Sequence, residues 1–124
     1  MKHTLRTLTL GCSKNRVDTE HLVSQLGEGF LVIDENETDA AVDYLLINTC
    51  GFIGDAKQES IDAILRSVEQ KKAGIIRQII VFGCLSERYA AELPGLIPEV
   101  DAWFGARDTD PILKYLGVTP DHSL

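Results

Sequence analysis

Two unbroken apolar runs, Tyr44-Leu45-Leu46-Ile47 and Ile79-Ile80-Val81-Phe82, bracket a long amphipathic stretch, and this arrangement limits the fold more than any other feature of the chain. A strand with one wet face alternates apolar and polar residues. A run without alternation belongs to a strand covered on both sides, as in the middle of a parallel sheet. Between the runs, Asp55 to Lys72 predicts a helix whose core-facing stripe is Ile61, Ile64, Leu65 and Val68, spaced i, i+3, i+4 and i+7. Asp55, Glu59 and Asp62 near its start and Arg66, Lys71 and Lys72 near its end complement the helix dipole. A strand, a crossover helix and a second strand of these lengths make a parallel unit.

The flanking segments repeat the pattern. Thr4 to Leu10 predicts a first strand, with Leu8 and Leu10 alternating against Thr7 and Thr9. A helix capped by Ser13 or Asn15 runs to about Gln25 or Leu26 on a stripe of Val17, Leu22, Val23 and Leu26, and Gly27-Glu28-Gly29 stops it. Phe30 to Ile33 is a short second strand, Asp34 to Asp43 an acidic loop, Tyr44 to Asn48 the third strand and Gln78 to Phe82 the fourth. A short helix from Ser86 to about Glu92 is broken by Leu93-Pro94-Gly95. Ala102 to Phe104 is a fifth strand. Asp108 to Leu116 forms a last helix, with Pro111 in its first turn. Together these predict an α/β fold: a doubly wound, mainly parallel five-stranded sheet with helices on both faces, flavodoxin-like in order, 2-1-3-4-5. One discord is that the first strand alternates more than an inner strand should.

At 124 residues, with 44% hydrophobic and 25% charged, the chain reads as one domain spanning 1–116, followed by a tail or the start of a linker over 117–124. No apolar run approaches the ~18 residues of a membrane span. Met1-Lys2-His3 leads straight into a strand without an apolar export segment, so a cytoplasmic address is expected. A net charge of −7, from 19 acids and 12 bases, argues against a domain that grips a nucleic-acid backbone. It suits a basic protein partner, or simple solubility.

The chemistry rests on three cysteines, Cys12, Cys50 and Cys84, 38 and 34 residues apart. An odd number in a chain without export signals argues against a disulfide framework, and no Cys-x-x-Cys pair marks a zinc ribbon or thioredoxin-type site. Each cysteine stands where a predicted strand turns toward a helix, and each has a glycine beside it: Leu10-Gly11-Cys12, Asn48-Thr49-Cys50-Gly51 and Phe82-Gly83-Cys84. In a parallel sheet with strands ~4.8 Å apart, three such loops on adjacent strands one, three and four converge within ~10–15 Å at the carboxyl edge, where this fold binds ligands. A single buried cysteine is commonly just a small hydrophobe. Three at one edge suit thiolate ligation, and helix N-termini beyond them favour the thiolate. A 4Fe–4S cluster with one open iron fits three thiolates. Zinc with three cysteines and a histidine is the rival, but His3, His21 and His122 are poorly placed for that edge. Neither a Gly-x-Gly-x-x-Gly turn nor a phosphate loop is present.

Leu10-Gly11-Cys12-Ser13-Lys14-Asn15-Arg16, the Asn48-Thr49-Cys50-Gly51-Phe52-Ile53 loop with Ala56-Lys57-Gln58-Glu59-Ser60-Ile61, and Gly83-Cys84-Leu85 resemble the N-terminal domain of the radical-SAM methylthiotransferases, the MiaB/RimO family. Gly-Cys-Ser-Lys-Asn and Cys-Gly-Phe-Ile look like the RimO branch, which modifies ribosomal protein S-twelve at an aspartate β-carbon, rather than the tRNA-modifying branch. The resemblance implies that Cys12, Cys50 and Cys84 hold an auxiliary 4Fe–4S cluster that supplies sulfur through its open iron. It also implies a separate radical-SAM domain, absent here, that carries a second 4Fe–4S cluster and S-adenosylmethionine. On this reading the chain is a part of a transferase that is not competent alone. Its partners would be its own radical-SAM domain and, through the full-length enzyme, S-twelve on the small ribosomal subunit. A monomer without direct nucleic-acid or membrane binding is expected. Asn15, Asn48 and Thr49 are candidates for hydrogen bonds to cluster sulfurs, with helix capping and turn formation as the competing roles. A non-catalytic α/β docking module stabilised by zinc or thiols is the reading from another class.

Overall fold

The structure, a computed structural model, describes residues 3–10, 13–37, 40–49, 54–106 and 109–118, with the side chains of 13–15, 28 and 54–56 outside that description. Five strands, β1 (His3–Thr9), β2 (Phe30–Ile33), β3 (Val42–Thr49), β4 (Ile76–Gly83) and β5 (Ala102–Trp103), form one sheet in the order β2-β1-β3-β4-β5. Every neighbouring pair is parallel. The helices are α1 (Ser13–Ser24), α2 (Gly54–Lys72), α3 (Cys84–Arg88), α4 (Leu93–Leu96) and α5 (Asp110–Tyr115). The expected doubly wound 2-1-3-4-5 order is the observed one.

Inner strands alternate between two cores rather than between core and water. Leu45 and Ile47 of β3, with Ile79 and Val81 of β4, pack under α2 against Ala63, Ile64 and Val68. Leu46, Ile80 and Phe82 pack on the opposite face against Leu22 and Leu26, at the end of α1, and Ile112 and Leu113 of α5. Each such side chain, taken wholly out of water, contributes about 1.5–3 kcal/mol. Leu5 enters the α1 core while Leu8 and Leu10 enter the α2 core, so the alternation of β1 does not report a wet face. Two of its polar residues, Arg6 and Thr7, are buried instead. Arg6 is only 5% exposed and its guanidinium donates to Glu37 O at 3.4 Å and Gln70 Oε1 at 3.5 Å, tying β1 to the loop before β3 and to α2.

Two apolar stripes sit differently from the expectation. On α2 the buried positions are Ser60, Ala63, Ile64, Ser67 and Val68, while Leu65 is 47% exposed and Ile61 half-buried. Small residues let the helix lie close on the sheet, and Ser67 satisfies its hydroxyl on Ala63 O at 2.9 Å. On α1, Val17 is 61% exposed, and Thr19 takes the inward position in line with Leu22 and Leu26. The segment after β4 also differs: α3 begins at Cys84 rather than Ser86, and Leu93-Pro94-Gly95 lies within α4 instead of breaking a helix. Pro94 stands in the first turn, where its missing N–H costs nothing.

Candidate metal centre

The carboxyl ends of β1, β3 and β4 are adjacent and level. Thr9 pairs with Asn48 and Asn48 with Phe82, while Thr49 pairs with Gly83, and Leu10 N–H donates to Asn48 O at 2.9 Å. The three cysteines follow these ends at once: Cys12 three residues beyond Thr9, Cys50 directly after Thr49, Cys84 directly after Gly83. Cys84 is half-buried at the first position of α3. Cys12 and Cys50 lie outside the described residues, as does the side chain of Asn15. The structure therefore brings together the strand ends that carry the cysteines and describes one of the three thiols.

Hydrogen bonds lock these ends into one platform. Thr9 Oγ1 meets Thr19 Oγ1 at 2.8 Å, and Asn48 Nδ2 donates to Thr19 Oγ1 at 3.2 Å, joining β1 and β3 to α1. Thr49 Oγ1 donates to Phe82 O at 2.8 Å and accepts the Ser86 N–H at 3.3 Å, joining β3 to β4 and α3. Asn48, Thr49, Thr19 and Ser86 are all buried. Glu35 closes the flank, accepting the Thr9 N–H at 2.7 Å and pairing with Arg16 at 3.3 Å. The only proton of the Thr49 hydroxyl is thus spent on the protein, which favours its turn-forming role. Thr19 and Ser86 were not singled out from the sequence. Thr19 had a signal, being at i, i+3 and i+7 with Leu22 and Leu26; Ser86 had none beyond its closeness to Cys84.

Gly83 decides how closely β4 approaches β3. Its φ is +106°, and a Cβ there would fall 2.5 Å from Thr49 O and 2.6 Å from Asn48 Oδ1. Only glycine admits both the conformation and the contact. On the rim, Lys57 Nζ stands 4.3 Å from the Tyr89 ring centroid, and the ammonium's hydrogen bond holds that phenol below its usual pKa of 10.

Among the described residues no group of three or more His, Cys, Asp or Glu side chains could hold an ion. His3 lies at the other end of β1, 3.7 Å from Asp43, and His21 is exposed on α1, so neither completes a zinc site at this edge. The donor set suits a thiolate-ligated iron–sulfur group. So does one orphaned atom: Ser86 Oγ is buried without a hydrogen-bond partner among the described residues, two residues past Cys84 in a helix whose Ser86 N–H donates to Thr49 Oγ1.

The sequence is matched over residues 4–105 by the profile of a protein family described as uncharacterized protein family UPF0004. The chain belongs to that family. It is 52% identical over 113 residues to a ribosomal protein uS12 methylthiotransferase RimO of Chloroherpeton thalassium, a match covering 91% of this chain and 26% of the relative. It is 46% identical over 124 residues to the protein of the same name from Cytophaga hutchinsonii, covering 99% of this chain and 28% of that one. The chain spans about a quarter of the length of the curated relatives it matches. Its sequence is similar to that of RimO methylthiotransferases over nearly its whole length, as the resemblance implied. No helix among the described residues is long and apolar enough to cross a membrane.

Proposed function

We propose that this domain holds a 4Fe–4S cluster on Cys12, Cys50 and Cys84, with one iron left open. In a longer enzyme it would serve methylthiolation of an aspartate β-carbon in ribosomal protein S-twelve. The observation that carries the reading is the register: β1, β3 and β4 end level and side by side, and each is followed within three residues by a cysteine. When bound, such a cluster would supply the sulfur. The chain's own contribution is to fix the strand ends through Thr9, Thr19, Asn48 and Thr49, and to keep Gly83 against β3 so that Cys84 leaves the sheet at that point. Asn15 and Asn48 remain candidates for hydrogen bonds toward the bound group.

S-adenosylmethionine and a second 4Fe–4S cluster would belong to a radical-SAM domain outside this sequence, and that domain and S-twelve on the small ribosomal subunit are its proposed partners. The net charge of −7 fits a basic ribosomal protein better than RNA. The names of the relatives favour this branch over the tRNA-modifying one. We read the domain as a cytoplasmic monomer. The test is anaerobic reconstitution with iron and sulfide, followed by metal analysis and visible spectroscopy. About four irons per chain, lost when any one cysteine becomes alanine, is the expected result. Stoichiometric zinc, or no metal, would instead support the docking-module reading.

A further inference from the structure

Two serines are buried in helices that pack on the sheet, and they treat their hydroxyls differently. Ser67 donates to Ala63 O, four residues back, at 2.9 Å, the ordinary solution for a helical serine. Ser86 does not. The carbonyl four residues before it, Phe82 O, already accepts the Thr49 hydroxyl at 2.8 Å. Ser86 is 1% exposed, and among the described residues its Oγ is without a hydrogen-bond partner. Buried polar side-chain atoms in native folds overwhelmingly find partners, and one left over calls for an acceptor that the described residues do not provide. Alanine would fill the same helical position without that cost.

The location says what the acceptor is. Ser86 is two residues past Cys84, and its N–H is bonded to the side chain of Thr49, the residue before Cys50. One cysteine is thus two residues from Ser86 along the chain, and a second directly follows the residue that accepts the Ser86 N–H. We propose that Ser86 Oγ donates its hydrogen bond to a sulfur, thiolate or sulfide, of the group held by Cys12, Cys50 and Cys84. This rests on the cluster reading above. A donor to sulfur favours the more negative, reduced state, so Ser86 raises the reduction potential of the bound group. It also makes the hydroxyl a burden on the empty domain and an asset of the loaded one.

The test compares the 124-residue chain with its Ser86→Ala and Ser67→Ala variants. Each is reconstituted anaerobically with iron and sulfide, titrated for its midpoint potential, and melted with and without metal. Expected is normal loading of Ser86→Ala with a midpoint below that of the parent, and no shift in Ser67→Ala. Empty Ser86→Ala should melt at or above the parent. Loss of loading in Ser86→Ala with an unchanged melt of the empty chain would also support the donor role. An unshifted midpoint at full loading overturns it, because a merely structural serine would not move the potential. A marked loss of stability in empty Ser86→Ala overturns it too, by showing that the hydroxyl has a protein partner. If the parent takes up no iron, the cluster reading falls first and this proposal falls with it.

Discussion

Gly83→Ala tests the geometry at the point where β4 delivers Cys84. The glycine has φ +106° and ψ −167°, a region that side-chain-bearing residues enter at a cost of about 1–3 kcal/mol. A Cβ would also lie 2.5 Å from Thr49 O and 2.7 Å from Thr49 N, both backbone atoms of the residue paired with Gly83. Neither can swing aside as a side chain would, so relief means spreading β3 from β4, with an overpacking cost of about 1–3 kcal/mol. Together the loss is about 4 kcal/mol, a large share of the ~5–15 kcal/mol that stabilises an ordinary domain. With a urea slope of about 2 kcal/mol/M, the unfolding midpoint should fall by about 2 M at unchanged slope. Gly74→Ala is the control. Its φ is +84°, but a Cβ there meets nothing within 4 Å, so it carries only the backbone penalty of about 1–2 kcal/mol. Urea titrations followed by far-UV circular dichroism on both variants decide the matter. If Gly83→Ala is no worse than Gly74→Ala, the close approach of the two strands is not what this glycine serves.

The rotation of α2 on the sheet predicts opposite outcomes at neighbouring positions: Ile64→Ala should lose about 2–5 kcal/mol, whereas Leu65→Lys should stay within about 1 kcal/mol. Equal losses in urea unfolding would return the helix to the register expected from its pattern. Tyr115 gives a pH signature. Partial burial first, then Asp101 and Tyr44, raise its phenol above the usual 10, so its stabilising contribution is complete below pH 10 and is lost as pH climbs through the folded value. Replacement by Phe should therefore make the urea midpoint fall less between about pH 9 and about pH 11 than it does in the parent. Parallel curves for the two proteins would refute the shift.

The fold was legible because its strongest signals are local. The unbroken runs at Tyr44–Ile47 and Ile79–Phe82 read as doubly covered strands, and Gly74 and Gly83 bracket the second of them at positive φ. What the pattern missed were positions where hydropathy and packing part company. Ser60 and Ser67 read as polar yet sit inward, because a small residue lets α2 lie closer than leucine would. Leu65 fits the stripe by spacing and is turned partly to water. Thr7 and Thr9 made β1 alternate like an outer strand, though Thr7 is buried and Thr9 is bonded to Glu35 and Thr19. At the site, the sequence names the cysteines but not the Thr9–Thr19–Asn48 and Thr49–Phe82–Ser86 contacts, since cross-strand register is a property of the assembled sheet.

That platform also bears on whether metal and folding are separable here. In a small zinc-dependent domain the metal supplies the folding energy, and chelation unfolds the chain. This domain has two continuous apolar cores, one on each face of the sheet, and neither contains Cys84. Side-chain and backbone hydrogen bonds within the protein hold the ends of β1, β3 and β4 level before any cysteine is reached. Stripping the reconstituted domain with a chelator should therefore lower its unfolding midpoint through lost ligand binding while leaving a single cooperative urea transition and the same far-UV spectrum. A chelated chain that loses its cooperative transition would mean that the metal, and not the polar platform, sets the strand ends in register.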